Sequence, residues 1–227
     1  MPNYRKSRCL LLEGYSNALH ARIETSVRDN PYTSSVASGF RVLSRRANYF
    51  IAEYIERQIR EERVIDPFGE VTAFERTIFI STAVLVRLQA PQIIMLDPPT
   101  TSLKVVHMLC GFVDFHVPVL TPDLDLRAWA KSLGSSKFRM QCHDVRIQDI
   151  DWGNGFSGNL TVTGEKDVFG KAESLVSGRQ HNLSTVAGLA EIDGKQARIR
   201  LLGTGRVELA IGIEPESHCA IYELARW

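Results

Sequence analysis

Two stretches of this 227-residue chain gather residue types that do chemistry. The first, HMLCGFVDFH, holds His107, Cys110, Asp114 and His116 within ten residues. On a helix, His107, Cys110 and Asp114 share a face at i, i+3, i+7, a geometry that can present zinc ligands. On a strand, Cys110, Asp114 and His116 share a face instead, with Phe112 among them. The spacing matches no closed zinc pattern, and a cysteine is also a common core residue. Cys142-His143-Asp144 and His218-Cys219 add further potential ligands.

The second stretch, IDGKQARIRLLGTGRVELAI, runs from Ile192 to Ile211. Asp193-Gly194 is a strong two-residue hairpin signal, because a type I′ turn needs positive φ at both central positions. Ala197, Ile199 and Leu201 then alternate with Gln196, Arg198 and Arg200. Gly203-Thr204-Gly205 marks a second reversal, after which Val207, Leu209 and Ile211 alternate with Arg206, Glu208 and Ala210. Turn geometry alone explains both glycines. A functional reading keeps the hairpin and adds a role: Arg198, Arg200 and Arg206 line a polar face beside a turn that can approach phosphate closely. No Gly-Lys-Ser/Thr follows, which excludes a Walker A loop. GTGRVELAIG resembles the C-terminal glycine-rich loop of CRISPR-associated RNA-binding proteins of the RAMP class, which also carries a basic residue. The resemblance covers about ten residues, departs from that pattern in its spacing to Gly212, and implies RNA binding.

Other constellations are thinner. Pro122-Asp123 with Asp193-Gly194-Lys195 has the letters of a metal-dependent nuclease site, but the second carboxylate and the lysine fall on a hairpin turn. Asp149 and Asp151 lie on one strand face, where close carboxylates can raise a pKa or simply be solvated. No Gly-x-Ser-x-Gly elbow and no His-Glu-x-x-His helix occurs. Basic residues Arg5, Lys6 and Arg8, and Arg41, Arg45 and Arg46, are candidates for phosphate contact.

The elements that must position these residues come next. Tyr15, Leu19, Ile23 and Val27 at four-residue steps predict a helix ended by Asn30-Pro31. From Ser35 to Arg63, Val36, Phe40, Leu43, Ala47, Phe50, Ile51, Tyr54 and Ile59 recur at helical steps. Glu53 to Arg57 and Glu56 to Arg60 are favourable i, i+4 pairs, so the pattern predicts a long amphipathic helix. AFERTIFISTAVLVRLQAP fits a buried strand or a buried helix, PQIIMLDPP reads as a strand and TSLKVVHMLCGF as a helix. DLDLRAWAKSLG predicts a helix capped by Asp123 or Asp125, with Gly134 just past its end. Beyond it KFRMQCHDVRIQDIDW alternates, with a change of phase near His143-Asp144 that predicts a bulge or a bend. GNLTVTGE, STVAGLAEID, KQARIRLL, RVELAIGI and HCAIYELARW complete a series of strand-like runs.

These elements predict an α+β fold: a helical N-terminal region 1–66, a mixed α/β middle region 67–134 and an antiparallel β region 135–227 containing a meander. Hydrophobic residues make up 44% and charged residues 23%, which excludes a largely disordered chain. The net charge of +1 makes no electrostatic case for a polyanion by itself. Residues 1–63 hold eleven Lys/Arg against seven Asp/Glu, a mild basic bias. No uncharged apolar stretch reaches the roughly 18–20 residues of a spanning helix, and four scattered cysteines fit reduced thiols. The expectation is a soluble, cytoplasmic protein without a cofactor or a membrane partner. Its expected role is a non-catalytic binding subunit of a larger, bacterial-type assembly, with a protein partner and an RNA or DNA backbone held by Arg41, Arg45, Arg198, Arg200 and Arg206. The alternative is a metal-dependent hydrolase or nuclease using His107, Cys110, Asp114 and His116.

Overall fold

A computed structural model describes residues 3–98, 103–111 and 118–225. In chain order the elements begin with β1 (Tyr4–Leu12), α1 (Asn17–Asp29), β2 (Ser38–Arg45), β3 (Tyr49–Ile65), β4 (Val71–Arg87) and β5 (Ile93–Leu96). They continue with α2 (Leu103–Gly111), β6 (Val119–Leu120), α3 (Leu126–Ser135), β7 (Gln141–Gly153), β8 (Phe156–Thr163) and α4 (Phe169–Leu175). Last come β9 (Asn182–Ile192), β10 (Lys195–Leu202), β11 (Arg206–Ile213) and α5 (Pro215–Glu223). Strand outweighs helix, and the pairs β1–β5, β1–β6, β1–β11, β2–β3, β3–β4, β7–β8, β7–β9, β9–β10 and β10–β11 are antiparallel. Two compact units emerge: one gathers β1, β5, β6 and everything from α3 onward, the other α1, β2 to β4 and α2. No helix among the described residues is long and apolar enough to cross a membrane.

In the first unit the strands lie in the order β5-β1-β11-β10-β9-β7-β8, with β6 added to β1. The meander expected within 135–227 is β9, β10 and β11. Asp193 and Gly194 have φ of 52° and 74°, the two left-handed positions that this hairpin requires. Ala197, Ile199, Leu201, Val207 and Leu209 are buried on one face, and their neighbours Arg198, Arg200, Arg206 and Glu208 stand on the other. Three-residue burial steps in α3 bring Leu126, Trp129, Ala130 and Leu133 into the core, and Asp125 caps its start by accepting from the Ala128 amide. The indole of Trp129 stacks on Tyr222 of α5 at 5.5 Å between ring centroids and donates to the Ile221 carbonyl at 2.9 Å. The expected bulge is present: the β7–β9 register shifts between Cys142 and Asp144.

Gly205 is the tightest point of this unit. It sits at φ +72°, and a Cβ built there would lie 2.9 Å from both Cys9 Sγ and Pro122 Cγ. Its carbonyl accepts from the Cys9 amide at 3.0 Å, the Cys9 thiol at 3.3 Å and the Tyr222 hydroxyl at 3.0 Å. The Gly203-Thr204-Gly205 reversal is therefore a turn clamped to β1 and α5.

In the second unit α1 forms as its spacing predicts. Ser16 caps it, and Leu19, Ile23 and Val27 are buried. The helix expected from Ser35 to Arg63 is absent: that span is β2 and β3, joined by a turn at 46–48. A helical N-terminal region 1–66 is thus corrected to two strand-rich segments around one helix. The physical reason lies in the charges and the β-branched residues. Glu53 faces Arg41 across the β2–β3 ladder and pairs with it, rather than with Arg57 one helical turn on. Tyr49, Phe50, Ile51, Tyr54, Ile55 and Ile59 in β3 favour the pleated conformation. Two further corrections apply to the first unit. His218 to Glu223 of the run HCAIYELARW belong to α5, where Pro215 occupies the first helical turn with Glu216 beside it, a helix-start signal. Gly134 lies within α3, which ends at Ser135 and is closed by Ser136.

The two turn glycines offer a graded test. Gly194→Ala meets nothing within 4 Å and carries only the cost of positive φ, about 1–2 kcal/mol. Gly205→Ala adds overpacking against Cys9 and Pro122, for a total of about 2–5 kcal/mol. Urea unfolding of both variants should show the larger loss at Gly205; equal losses would contradict the clamped turn.

Candidate functional site

The polar face of the first unit is built by register. Arg200 of β10 stands opposite Ala187 of β9, which in turn stands opposite Asp144 of β7. Arg198 stands opposite Leu189, and Leu189 opposite Gln141. Residues directly opposite share a face, so these rows run side by side across three strands. The middle strand contributes the small residues Ala187 and Gly188, and long arginines rise on one side. The result is a trough of about 360 Å³ lined by His143, Asp144, Ala187, Gly188, Leu189, Arg198 and Arg200. Gly188 is needed there: a Cβ would fall 1.9 Å from the Gln141 carbonyl oxygen, where β7 and β9 approach at the bulge.

The charges around the trough are unevenly engaged. Glu208 lies between Arg200 and Arg206, at 3.3 and 3.2 Å respectively. Asp144 meets Arg146 at 3.4 Å. Arg198 is exposed and has no carboxylate partner among the described residues. His143 Nε2 is buried without a hydrogen-bond partner, as are the Nε atoms of Arg206 and Arg8. Next to β11, Lys6 stands opposite Glu208 and Arg8 opposite Arg206, extending the basic row onto β1.

Of the five expected nucleic-acid-binding residues, Arg198, Arg200 and Arg206 fall on this one face. Arg41 and Arg45 belong to the second unit, where each is paired with a carboxylate, Glu53 and Glu24 respectively. Their charges are locally satisfied. Asp144 and His143 are potential metal ligands in the sequence; their place across β9 from the arginines needs the β7–β9 register, which no local pattern reveals. The Gly203–Gly205 turn directs the Gly205 carbonyl into the core, so its backbone serves packing at that residue.

The metal alternative falls largely outside the described residues. Asp114 and His116 lie there, and so does the Cys110 side chain; His107 is exposed on α2. Among the described residues no group of three His, Cys, Asp or Glu is placed to hold a metal. The nuclease letters have structural partners: Asp193 accepts from the Ser217 hydroxyl at 2.7 Å beside the hairpin. Asp149 accepts from Asn182 at 3.1 Å and Asp151 from the Gly153 amide at 2.8 Å. Burial pushes the Cys142 thiol up to about 12, away from thiolate chemistry.

His218 occupies the core. Its Nε2–H donates to the Tyr4 carbonyl at 3.2 Å, which leaves Nδ1 to accept from Ser7 Oγ at 2.9 Å. Burial lowers its pKa to about 4, only partly offset by the Tyr4 carbonyl and the charges of Asp97 and Asp193. The folded state thus keeps His218 neutral while the unfolded chain protonates it near 6.5. Its contribution is complete above pH 6.5 and is lost as pH falls from there toward 4, by up to about 3 kcal/mol. Urea midpoints between pH 4 and 7.5 should fall more steeply in the wild type than in His218→Gln; parallel profiles would refute this.

No family model matches the chain, and no curated protein matches it at a significant level.

Proposed function

We propose that the protein is a non-catalytic binding subunit of a larger assembly, contacting its protein partner through the β3–β4 ribbon. The observation that carries this reading is the ribbon itself. Its 17 residue pairs run in unbroken register from Tyr49↔Arg87 to Ile65↔Val71. The base, including Phe50, Ile51, Ala52 and Val84 to Val86, is buried. Beyond Gln58 the two strands expose both faces over roughly 25 Å, at about 3.3 Å per residue. That distal half carries Ile59, Val64, Ile65, Val71 and Phe74 as exposed residues, and Phe68 at the tip is 93% exposed. A two-stranded ribbon without a packed face is marginal in water, and an apolar surface of this kind marks an interaction site.

A shortened chain tests it. Replacing residues 59–77 by Asn-Gly joins Gln58 to Ile78, which face each other in the ladder, and leaves the buried base intact. Tagged full-length protein recovered from its source cells should elute in a complex larger than the monomer, and the shortened protein as a monomer that still unfolds cooperatively in urea. A full-length monomer, or a shortened protein that keeps the assembly, would overturn the proposal.

A second reading, backbone binding of RNA or DNA, is favoured by the row of Arg198, Arg200 and Arg206 on one exposed sheet face. Replacing all three by Ala should leave the fold intact, since exposed strand positions tolerate such changes within about 0.5 kcal/mol each. It should also flatten the salt dependence of oligonucleotide binding by about 0.7 unit per lost single-strand contact, or 0.9 on duplex DNA. Titrations at several salt concentrations with equal slopes for wild type and variant would exclude the face.

A further inference from the structure

We infer that the trough on β7, β9 and β10 is a site for a phosphomonoester of mononucleotide size, its phosphate held by Arg198 and Arg200. The inference rests on the reading of this sheet face as phosphate-binding, and narrows it to one group at one place. Size comes first. A cavity of about 360 Å³ is at the lower end of small-molecule sites, which span roughly 300–1,000 Å³. Arg198 and Arg200 are two residues apart on one strand, so their Cα atoms are about 7 Å apart, close enough for both guanidinium forks to converge on one phosphate. Arg198 has no competing carboxylate among the described residues, and Arg200 has a single long contact at 3.3 Å.

The opposite wall decides between a terminal phosphate and a continuous backbone. Asp144 lies across the small floor of Ala187, about 10 Å from Arg200 at the spacing of two neighbouring strands. A polyanion crossing the sheet would bring a second phosphate against this carboxylate, whose one ion pair among the described residues is the 3.4 Å contact with the exposed Arg146. A phosphomonoester instead places its charge on the arginines and turns a hydroxyl or amino donor toward Asp144, an acceptor. His143, on the bulge beside Asp144, also lines the trough. Leu189, 37% exposed, offers an apolar surface to the body of the ligand. Donors on one side, an acceptor on the other and an apolar floor together describe a nucleotide better than a bare anion.

The shared chemistry, a terminal phosphate on a nucleoside, can come from a free nucleotide or from the end of a strand. Calorimetric titration with the four 5′-nucleoside monophosphates, the corresponding nucleosides, and a thymidine decamer with a 5′-phosphate or a 5′-hydroxyl separates them. We expect at least one monophosphate to bind about tenfold or more tightly than its nucleoside, a gain of about 1.4 kcal/mol. Arg198→Ala with Arg200→Ala should remove that gain. Leu189→Trp, which fills the trough without removing a charge, should weaken the same ligand to a similar degree, and Arg41→Ala should leave it unchanged. If the phosphorylated decamer binds and the monophosphates do not, the ligand is a strand end; the reverse assigns a free nucleotide. Binding that ignores the phosphate, or survives both trough variants, overturns the site. Decamer binding that ignores the end group but depends on Arg198, Arg200 and Arg206 also overturns it while preserving the backbone reading, so the two failures are distinguishable.

Discussion

The carbonyl oxygen of Gly205 is the point on which the first unit depends. Three donors converge on it, two from Cys9 of β1 and one from Tyr222 of α5, and only glycine fits the φ and the space. A buried carbonyl so engaged fixes the chain in three dimensions, because moving the turn would strip partners from buried donors, at a cost of about 1–3 kcal/mol for each. Side chains alternate along a strand, so fixing the turn also fixes which residues face outward. With Val207 and Leu209 held inward, Arg206 and Glu208 must point to the open face, and across the ladder Arg200 joins them. A one-residue slip would bury guanidinium groups and expose the core. The basic face is thus a consequence of the packing on its reverse side.

Tyr222 couples this constraint to the rest of the core. Its hydroxyl lies 3.2 Å from Ser7 Oγ, which in turn bonds to His218, so α5 is tied to β1 through polar groups as well as through the Trp129 stack. Burial raises the Tyr222 and Cys9 ionisations well above their ordinary values. Every member of the cluster is therefore neutral at physiological pH, and it works as a hydrogen-bonded lock. Its apparent chemistry, a histidine, a serine and a thiol in close order, serves structure.

How much of this was legible in the sequence depends on how local the governing force is. The meander was legible because Asp193-Gly194 and Gly205 dictate φ and the alternation between them is strict. The α3 helix was legible from Asp125 and the spacing of Leu126, Trp129 and Leu133. The ribbon was not: a strand exposed on both faces has no alternating burial to reveal it, and its scattered charges mimic a helical i, i+4 pattern. Glu53 shows the difficulty, since its partner Arg41 lies twelve residues back along the chain and only the ladder brings them together. The α5 segment misled because alternating apolar residues spoke louder than Pro215. For the candidate site, strand alternation placed Arg198, Arg200 and Arg206 on one side in advance. Asp144 across β9 from Arg200 was hidden, because it required knowing that β7 pairs with β9.

The bulge at His143 connects these threads. Without it, β7 would continue its regular alternation past Cys142, and the register with β9 would not shift between Gly188 and Ala187. The shift lets Cys142 remain buried at 3% exposure while Asp144, two positions on, reaches the opposite face beside Ala187. That change of phase demands the close backbone approach which only Gly188 permits, and small residues at the bulge deepen the floor between the two polar walls. A bulge breaks a ladder and leaves polar groups to satisfy, so its cost must be met by the surrounding structure. Here the Val168 amide bonds to the Cys142 carbonyl and the Gly164 amide to the His143 carbonyl, both from the segment that leads from β8 into α4. The backbone at the bulge is thereby satisfied from outside the sheet, and the side chain of His143 keeps a nitrogen that is not. That nitrogen belongs to a residue lining the cavity, where the two arginines and the carboxylate already meet.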